Sequence, residues 1–280
     1  MIGTLFVCGT PIGNLEDMSM RALRILSEVD IIACEDTRHT LKLLNHFNIS
    51  ASLTSYHEHN KSEKGIKILE ILKSGRNVAI VSDAGMPGIC DPGYELINLM
   101  YENDIDVTLI PAPTAAASAL VLSGIDSKRF IFEGFLPRDK KGRREILDSF
   151  VDERRTVVIY EAPHHLTSTL KDMYDVIGNR NVALVREITK KFEEVKRDEL
   201  SKLLTYFETA NPKGEYVIVV EGISAKEAAE KKTQKWESIT IEAHVEMYEK
   251  EGMSKNTAIK AAAKDRNVSK SSIYNVVMRK

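Results

Sequence analysis

Short apolar runs of strand length alternate with longer segments of helical period, and this alternation constrains the chain more than any other feature. The runs fall at 4–8, 30–34, 53–56, 78–81 and 107–110, with helical patterns near 19–28, 37–46, 62–74, 92–103 and 114–123. A run of four or five apolar residues bounded by turn formers reads as a buried strand. Five strand–helix units in succession predict an α/β fold with a largely parallel sheet and helices on both faces. Helix starts are marked as well: Asp91 is placed to cap with Pro92 in the first helical position, and Thr37 to cap the helix after Asp36.

A second set begins near Phe130, with strands at 130–133, 156–160, 182–186 and 216–220 and helices near 140–150, 163–177 and 198–208. The charged stretch between the last two strands leaves room for further extended structure. These patterns divide the chain into an N-terminal α/β domain over 1–115, a second α/β domain over 116–222 and a helical tail over 223–280. Within the tail, 224–236 reads as a charged helix or linker. The spacing of Ala258, Ala262, Val268, Ser269 and Ile273 then resembles a helix-turn-helix, with Ser269 capping its second helix.

Composition is that of a globular protein: 43% hydrophobic, 29% charged and a net charge of −2 over 280 residues. The charge is unevenly spread. Residues 224–280 carry 12 Lys/Arg against 8 Asp/Glu, so the tail is basic and the remainder acidic. Cys8, Cys34 and Cys90 form no paired motif and read as reduced thiols of a cytoplasmic protein. The first residues read as a strand rather than a signal peptide, and the weakly polar stretch 114–125 is too short to cross a bilayer.

Ligands of a parallel α/β sheet bind at the carboxyl ends of its strands. On that edge this chain places GTPIGN (9–14), EDTR (35–38), SYHEHN (55–60), SDAGMPG (82–88) and PAPTAA (111–116). One small, bent loop is commonly only a tight turn; four on one edge predict an active-site rim. The first loop is neither a dinucleotide fingerprint nor a P-loop, and Pro11 removes a backbone donor, so phosphate cradling is not expected. Close approach of backbone to an uncharged or zwitterionic ligand is.

Several strings together carry a resemblance: GTPIGNLEDMSMRAL, EDTRHTLKLLNHF, SYHEHN, SDAGMPGICDPGYEL, FEGFLPR, YEAPHHL, REITKKFEEV and KGEYVIVVEG. In this order, from about residue 4 to 222, they resemble the ribosomal RNA small-subunit 2′-O-cytidine methyltransferases of the tetrapyrrole-methylase superfamily. The resemblance implies S-adenosylmethionine as methyl donor in a cleft between two α/β domains, a homodimer, and a cytidine in the decoding centre of 16S ribosomal RNA as target. Met86, Cys90 and Ala112 stand where the family commonly has Thr, Ser and Gly, which puts individual hydrogen bonds to the donor in question.

Carried over residue by residue, the resemblance places Ser82, Asp83, Ala84, Gly85, Ile89, Thr114, Ala115 and Ala116 around the donor. Pro11 and Gly13 let the first loop close over it, and the helix N-terminus at Thr114 offers amides to the methionine carboxylate. Methyl transfer to a ribose hydroxyl needs alignment and a route for a proton. Rim candidates for a base or helpful cation are Glu35, Asp36, His57, Glu58, His59, Glu161, Glu187 and Lys190; of these Asp36, Glu187 and Lys190 are chosen. Each has a plainer reading, Asp36 as a helix cap and Glu187 with Lys190 as a surface ion pair. Phosphate contacts are expected from Arg38, His57, His59, Arg138, Lys140, Lys141, Arg143, Arg144 and Arg186. His57 and His59 are too few ligands for a metal, and none is expected. His164 and His165, after Pro163, read as a helix start.

Three rivals are weighed. Methylation of a small tetrapyrrole shares the superfamily, but PIGN replaces the Gly-Pro-Gly-Asp loop such enzymes tend to carry. A non-enzymatic nucleic-acid-binding regulator fits the tail but not the elaborated loop edge, and an oxidoreductase lacks a dinucleotide fingerprint. The tail itself is read either as an RNA-docking appendage or as a solvated capping bundle or dimer contact.

Overall fold

The structure, a computed structural model, describes residues 2–228, 236 and 239–278. It contains two five-stranded sheets. The first comprises β1 (Leu5–Cys8), β2 (Ile31–Cys34), β3 (Leu53–Ser55), β4 (Val78–Val81) and β5 (Val107–Ile110), in the order β3-β2-β4-β1-β5. Every neighbouring pair in it is parallel. The expected alternation of strands and helices is therefore present, and it builds the α/β fold.

The period of two along β4 explains why both faces are covered. Val78 and Ile80 join a cluster with Ile68, Leu69 and Leu72 of α3 (Lys61–Lys73) and Leu96 and Met100 of α4 (Tyr94–Tyr101). Ala79 and Val81 point the other way, to Ala22, Ile25 and Leu26 of α1 (Met20–Glu28) and Leu44 of α2 (Thr37–His46). Such a central strand is apolar throughout because neither face meets water.

The second sheet holds β6 (Phe130–Phe135), β7 (Thr156–Glu161), β8 (Asn181–Arg186), β9 (Glu194–Glu199) and β10 (Tyr216–Val220), in the order β6-β7-β10-β8-β9. Only β6 and β7 are parallel; the other three pairs are antiparallel. The charged stretch after β8 supplies β9, an edge strand whose pattern EVKRDE gives little apolar signal because most of it faces water. Helix α5 (Ala115–Ser123) follows β5 of the first sheet but packs on the second: Ala116, Ala119 and Leu120 are buried against Val158, Val185, Val217 and Val219. The remaining helices here are α6 (Lys140–Ser149), α7 (Pro163–Ile177) and α8 (Leu200–Thr209).

By contact density the chain forms two compact units. One is Met1–Asp148 with Thr156–Glu221, containing both sheets; the other is Ser149–Arg155 with Gly222–Lys280. The second unit carries α9 (Ile241–Lys250), α10 (Lys255–Asp265) and α11 (Lys270–Met278) around Val245, Ala258, Ile259, Ala262 and Ile273. Ser269 caps α11 as its sequence indicates, accepting from the Ser272 amide at 3.2 Å. Of the charged segment expected over 224–236, residues 229–235 lie outside the described residues.

Two capping expectations are corrected. The cap of α2 is Asp36, not Thr37; its carboxylate accepts from the Arg38 amide at 2.8 Å. Helix α4 begins at Tyr94 with Gly93 before it, so Asp91 caps nothing. Asp91 stands three residues before the helix and is released to another role.

Candidate active site

In the first sheet the loops after β1 and β4 are neighbours because those strands are paired. The loops are then latched together. Thr10 and Gly85 exchange backbone hydrogen bonds of 2.8 and 3.2 Å, and the Thr10 hydroxyl donates to the Ser82 carbonyl at 3.1 Å. Gly85 takes φ +77°, which this close bridge between two loops requires and a β-carbon would resist. The Ser82 hydroxyl is spent inside its own loop on the Ala84 and Gly85 carbonyls.

This edge faces a cavity of ≈480 Å³, within the range of about 300–1,000 Å³ usual for small-molecule sites. Asp83, Ala84, Gly85, Ile89, Thr114 and Ala115 line it, as expected for the donor pocket. Pro11, Gly13, Ser82 and Ala116 do not; the latch and the helix start turn them to supporting places. The neighbouring Ile12, Met86, Cys90 and Asp91 line it instead.

The opposite wall comes from the second sheet. Phe135 and Tyr160 meet edge to face at 5.5 Å, and the Tyr160 hydroxyl accepts from the Ala116 amide at 3.1 Å. Thr114 takes the Ala117 amide at 3.4 Å. Two of the first-turn amides of α5 expected to meet a carboxylate, those of Ala116 and Ala117, thus already have acceptors. Ile188, Val185 and Val217 complete an apolar surface.

Charge in and beside the cavity is arranged in two groups. Lys190 lines it, its Nζ held 3.1 Å from Glu187 Oε1 and 2.7 Å from Glu215 Oε2. Burial works against the ammonium, but the hydrogen bonds to Glu215 and Glu187 prevail and hold its pKa above the usual lysine value. Glu187 is held below the carboxylate range by the Glu215 amide, with Lys190 assisting against burial. It sits at φ +49° and Thr189 at φ +66°, two non-glycine residues in a sparsely populated conformation. Strain of this kind, of about 1–3 kcal/mol per residue, persists where the surroundings fix it and clusters at functional sites.

The second group is acidic. Asp91 is pushed up to about 6 by burial, then by the nearby charges of Glu35 and Asp83. Glu35 is raised by burial and by Asp83, with His57 opposing. Glu161 also lines the cavity, yet its oxygens are occupied by the Ala162 amide at 2.8 Å and the Thr169 hydroxyl at 2.5 Å.

Of the three residues chosen as base or cation, only Lys190 reaches the cavity. Asp36 is absorbed by capping α2 and by the Arg38 guanidinium at 2.8 Å, which hold its carboxyl down to about 2. It is the cap of the plainer reading, although its amide donates to Asp83 Oδ1 at 3.3 Å. Glu187 and Lys190 do pair, as the plainer reading held, but at the cavity.

The expected phosphate contacts divide in the same way. Arg38, His59, Arg138, Lys140 and Lys141 are exposed. Arg143 is buried, bound to Asp172 at 2.7 Å and to the Pro137 and Arg138 carbonyls, and is corrected to a structural residue. Arg144 leans on Asp175 at 3.4 Å, Arg186 on the Lys213 carbonyl at 2.6 Å, and half-buried His57 lies 3.1 Å from the Asn60 side-chain amide. Among the described residues no group of three or more His, Cys, Asp or Glu is placed to hold a metal ion.

Sequence reasoning missed Asp91, Phe135, Tyr160 and Ile188. A proline after Asp91 and the aromatic strings FEGF and YEAP were visible, but which face of the second sheet they occupy depends on its strand order.

Comparison with known proteins identifies the family. The family described as Tetrapyrrole (Corrin/Porphyrin) Methylases matches residues 4–204. The Ribosomal RNA small subunit methyltransferase I of Halalkalibacterium halodurans is 47% identical, over 98% of this chain and 94% of that protein. The protein of the same name from Thermotoga maritima is also 47% identical, with 79% of this chain covering 99% of it. In fold, the chain is similar to a uroporphyrin-III C-methyl transferase from Thermus thermophilus complexed with S-adenyl homocysteine, with a TM-score of 0.56 and 16% identity over 78% of this chain and 97% of that one. With a family match over most of its length and relatives this similar, the chain belongs to the Tetrapyrrole (Corrin/Porphyrin) Methylases.

Proposed function

We propose that the protein is an S-adenosylmethionine-dependent methyltransferase of 16S ribosomal RNA that modifies the 2′-hydroxyl of a decoding-centre cytidine in the small subunit. The observation that carries this reading is 47% identity, over 98% of the chain, to a protein named for methylation of small-subunit ribosomal RNA. A structural neighbour holding the demethylated donor supports the cofactor.

The residues of the cavity fit such a donor. Phe135 and Tyr160 offer an apolar wall to a purine, small Ala84 and Gly85 let backbone approach, and the Asp83 and Asp91 carboxylates suit a ligand bearing positive charge. When bound, S-adenosylmethionine supplies a methyl group on a sulfonium: the carbon–sulfur bond breaks as the new carbon–oxygen bond forms and the hydroxyl loses its proton. Asp91, half ionised near pH 6, is the carboxylate in the cavity best matched to accepting that proton at an Oδ. Lys190, charged and fixed by two carboxylates, orients an anionic part of the RNA beside it. The latch between Thr10 and Gly85 keeps this edge rigid, and positioning supplies most of the rate.

The division into 1–115, 116–222 and 223–280 belongs to the same proposal, with the packing of α5 on the second sheet in its favour. So does a homodimer, supported by apolar side chains left open at Met20, Leu109 and Val121. A ribosomal substrate supports a cytoplasmic location, and among the described residues no helix is long and apolar enough to cross a membrane.

The test is transfer of labelled methyl from S-adenosylmethionine to small subunits lacking the modification, followed by mapping of the label. Label on one cytidine ribose is expected. Labelling of a precorrin or uroporphyrinogen instead of RNA overturns the substrate, and absence of donor binding overturns the activity.

A further inference from the structure

The surface charge of the three-helix tail is segregated. Helix α9 and the residue after it present Glu242, Glu246, Glu249 and Glu251, all exposed, with Lys250 leaning on Glu246 at 3.9 Å. Helices α10 and α11 carry the opposite sign. Lys255, Lys260, Lys264 and Lys270 are all exposed, and none of them forms an ion pair among the described residues.

The other charges of this pair of helices are turned inward. Asp265 is buried and accepts from the Tyr248 hydroxyl. Arg266 is spent on the Ile239 and Thr240 carbonyls at 2.7 and 3.1 Å and on His244 Nδ1 at 3.1 Å. His244 in turn stacks on Trp236 at 3.8 Å. The fold thus consumes the one acid and the one arginine of α10–α11 and leaves four lysines in water. Solvated surface ordinarily mixes both signs, whereas the exposed charge of α10 and α11 is cationic throughout.

Two of the lysines are spaced to follow a backbone. Lys260 and Lys264 are one turn apart on α10. Lys255 and Lys270 stand at the starts of α10 and α11, beside Ser254 and Ser269, whose hydroxyls cap those helices. The hydroxyls are spent on the Thr257 and Ser272 amides, so what each start offers a phosphate is its ammonium beside a positive helix end. Tyr274, one turn beyond Lys270 on α11, is 43% exposed.

We propose that α10, the turn after it and α11 form a docking surface for double-helical RNA, bound through its phosphates. The choice of RNA rests on the function proposed above. A duplex of A-form geometry has a major groove too narrow to admit a helix, so recognition falls to phosphates and sugars, which lysines at helix starts and on an outer face can reach.

The experiment uses the full chain and a 20-base-pair RNA hairpin, with a DNA duplex of the same sequence and polyglutamate as competitors. Replacing Lys255, Lys260, Lys264 and Lys270 together by Glu is expected to weaken RNA binding at least about tenfold and to lower the salt slope of log K by about 3–4. Glu242→Gln with Glu246→Gln on α9 leaves both unchanged. The pair Lys260→Gln and Lys264→Gln, which removes charge without reversing it, is expected to lower the slope by about 2 and keeps the test open if the fourfold variant does not fold. Unchanged affinity and slope, tighter binding of the DNA duplex, or displacement by polyglutamate as effective as by RNA each overturns the proposal. Methyl transfer by the unaltered chain is measured alongside. Labelling of the subunit with an unaffected salt slope sinks the tail surface alone, whereas no labelling sinks the RNA reading on which it rests.

Discussion

Gly13 and Lys190 lie against each other: a β-carbon at Gly13 would fall 2.6 Å from Lys190 Cγ and 2.8 Å from Thr189 Oγ1. The loop after β1 is thus shaped by the loop after β8, in the other sheet, and the glycine is required by that approach. Lys190 cannot retreat freely because Glu187 and Glu215 hold its ammonium.

Gly13→Ala is accordingly expected to displace Lys190 while disturbing the cores little. Methyl transfer should fall about tenfold in kcat/KM, with a loss of stability of about 1 kcal/mol from overpacking. The measurement is a double-mutant cycle. In a Lys190→Ala background the same substitution should cost clearly less activity, because the side chain it would strike is gone. Equal losses in both backgrounds would show that the glycine acts by another route.

Asp91 gives the reaction a pH signature. Its carboxyl is pushed up to about 6, above its usual value, so the native state holds the proton more tightly than the unfolded chain. For this group stability is greatest below pH 4 and declines as pH rises through about 6. Activity runs the opposite way if the ionised form accepts the proton, rising through the same interval. Asp91→Asn should remove both trends: a flat pH–rate profile at a level about 10²-fold lower, and a smaller difference in denaturant midpoint between pH 4.5 and 7.5. A variant that keeps the rising limb would assign it to another group, Glu35 being the next in line.

How far this was legible in the sequence depends on which residues are asked. Strand β4 was found because it is apolar on both faces, and α2 because its apolar residues keep one side. The loops of the first sheet pointed to the donor edge because parallel topology fixes which ends of strands share an edge. The second sheet offered no such rule. Its mixed pairs, parallel between β6 and β7 and antiparallel between β7 and β10, put Phe135, Tyr160 and Val217 on one wall only through the order β6-β7-β10-β8-β9, which no local pattern encodes. Arg143 and Lys141 look alike in the string KKGRR. One is buried and the other exposed because α6 turns Arg143, and not Lys141, towards Asp172 of α7.

Lys190 should act as a fixed cation. Its ammonium is raised in pKa, so it stays charged through the working range and cannot serve as the base. Lys190→Gln is expected to lower kcat/KM about 10²-fold, the scale of losing one preorganised charge. Glu187→Gln should cost less, about tenfold, since Glu215 still pairs with the lysine. Steady-state assays on small subunits decide this. If Glu187→Gln proves as damaging as Lys190→Gln, the carboxylate itself does more than hold its neighbour.

Arg143 and Lys141 separate folding from binding within one basic cluster. The Arg143–Asp172 pair is buried on both sides, and the guanidinium also donates to two carbonyls that close the chain before α6. Removing Arg143 leaves the buried Asp172 carboxylate only the longer approaches of Arg144 at 3.8 Å and Lys140 at 3.9 Å, so Arg143→Ala should cost about 3 kcal/mol in denaturant unfolding. Lys141, whose ammonium stands 4.0 Å from Glu145 in open water, should leave stability unchanged when replaced by Ala. If the cluster touches RNA, the roles reverse in a binding assay. Lys141→Ala would lower the salt slope by about 1, while Arg143→Asp with Asp172→Arg, which restores the pair in the opposite sense, would recover stability without changing that slope. Loss of slope in the swapped variant would place Arg143 on the RNA after all.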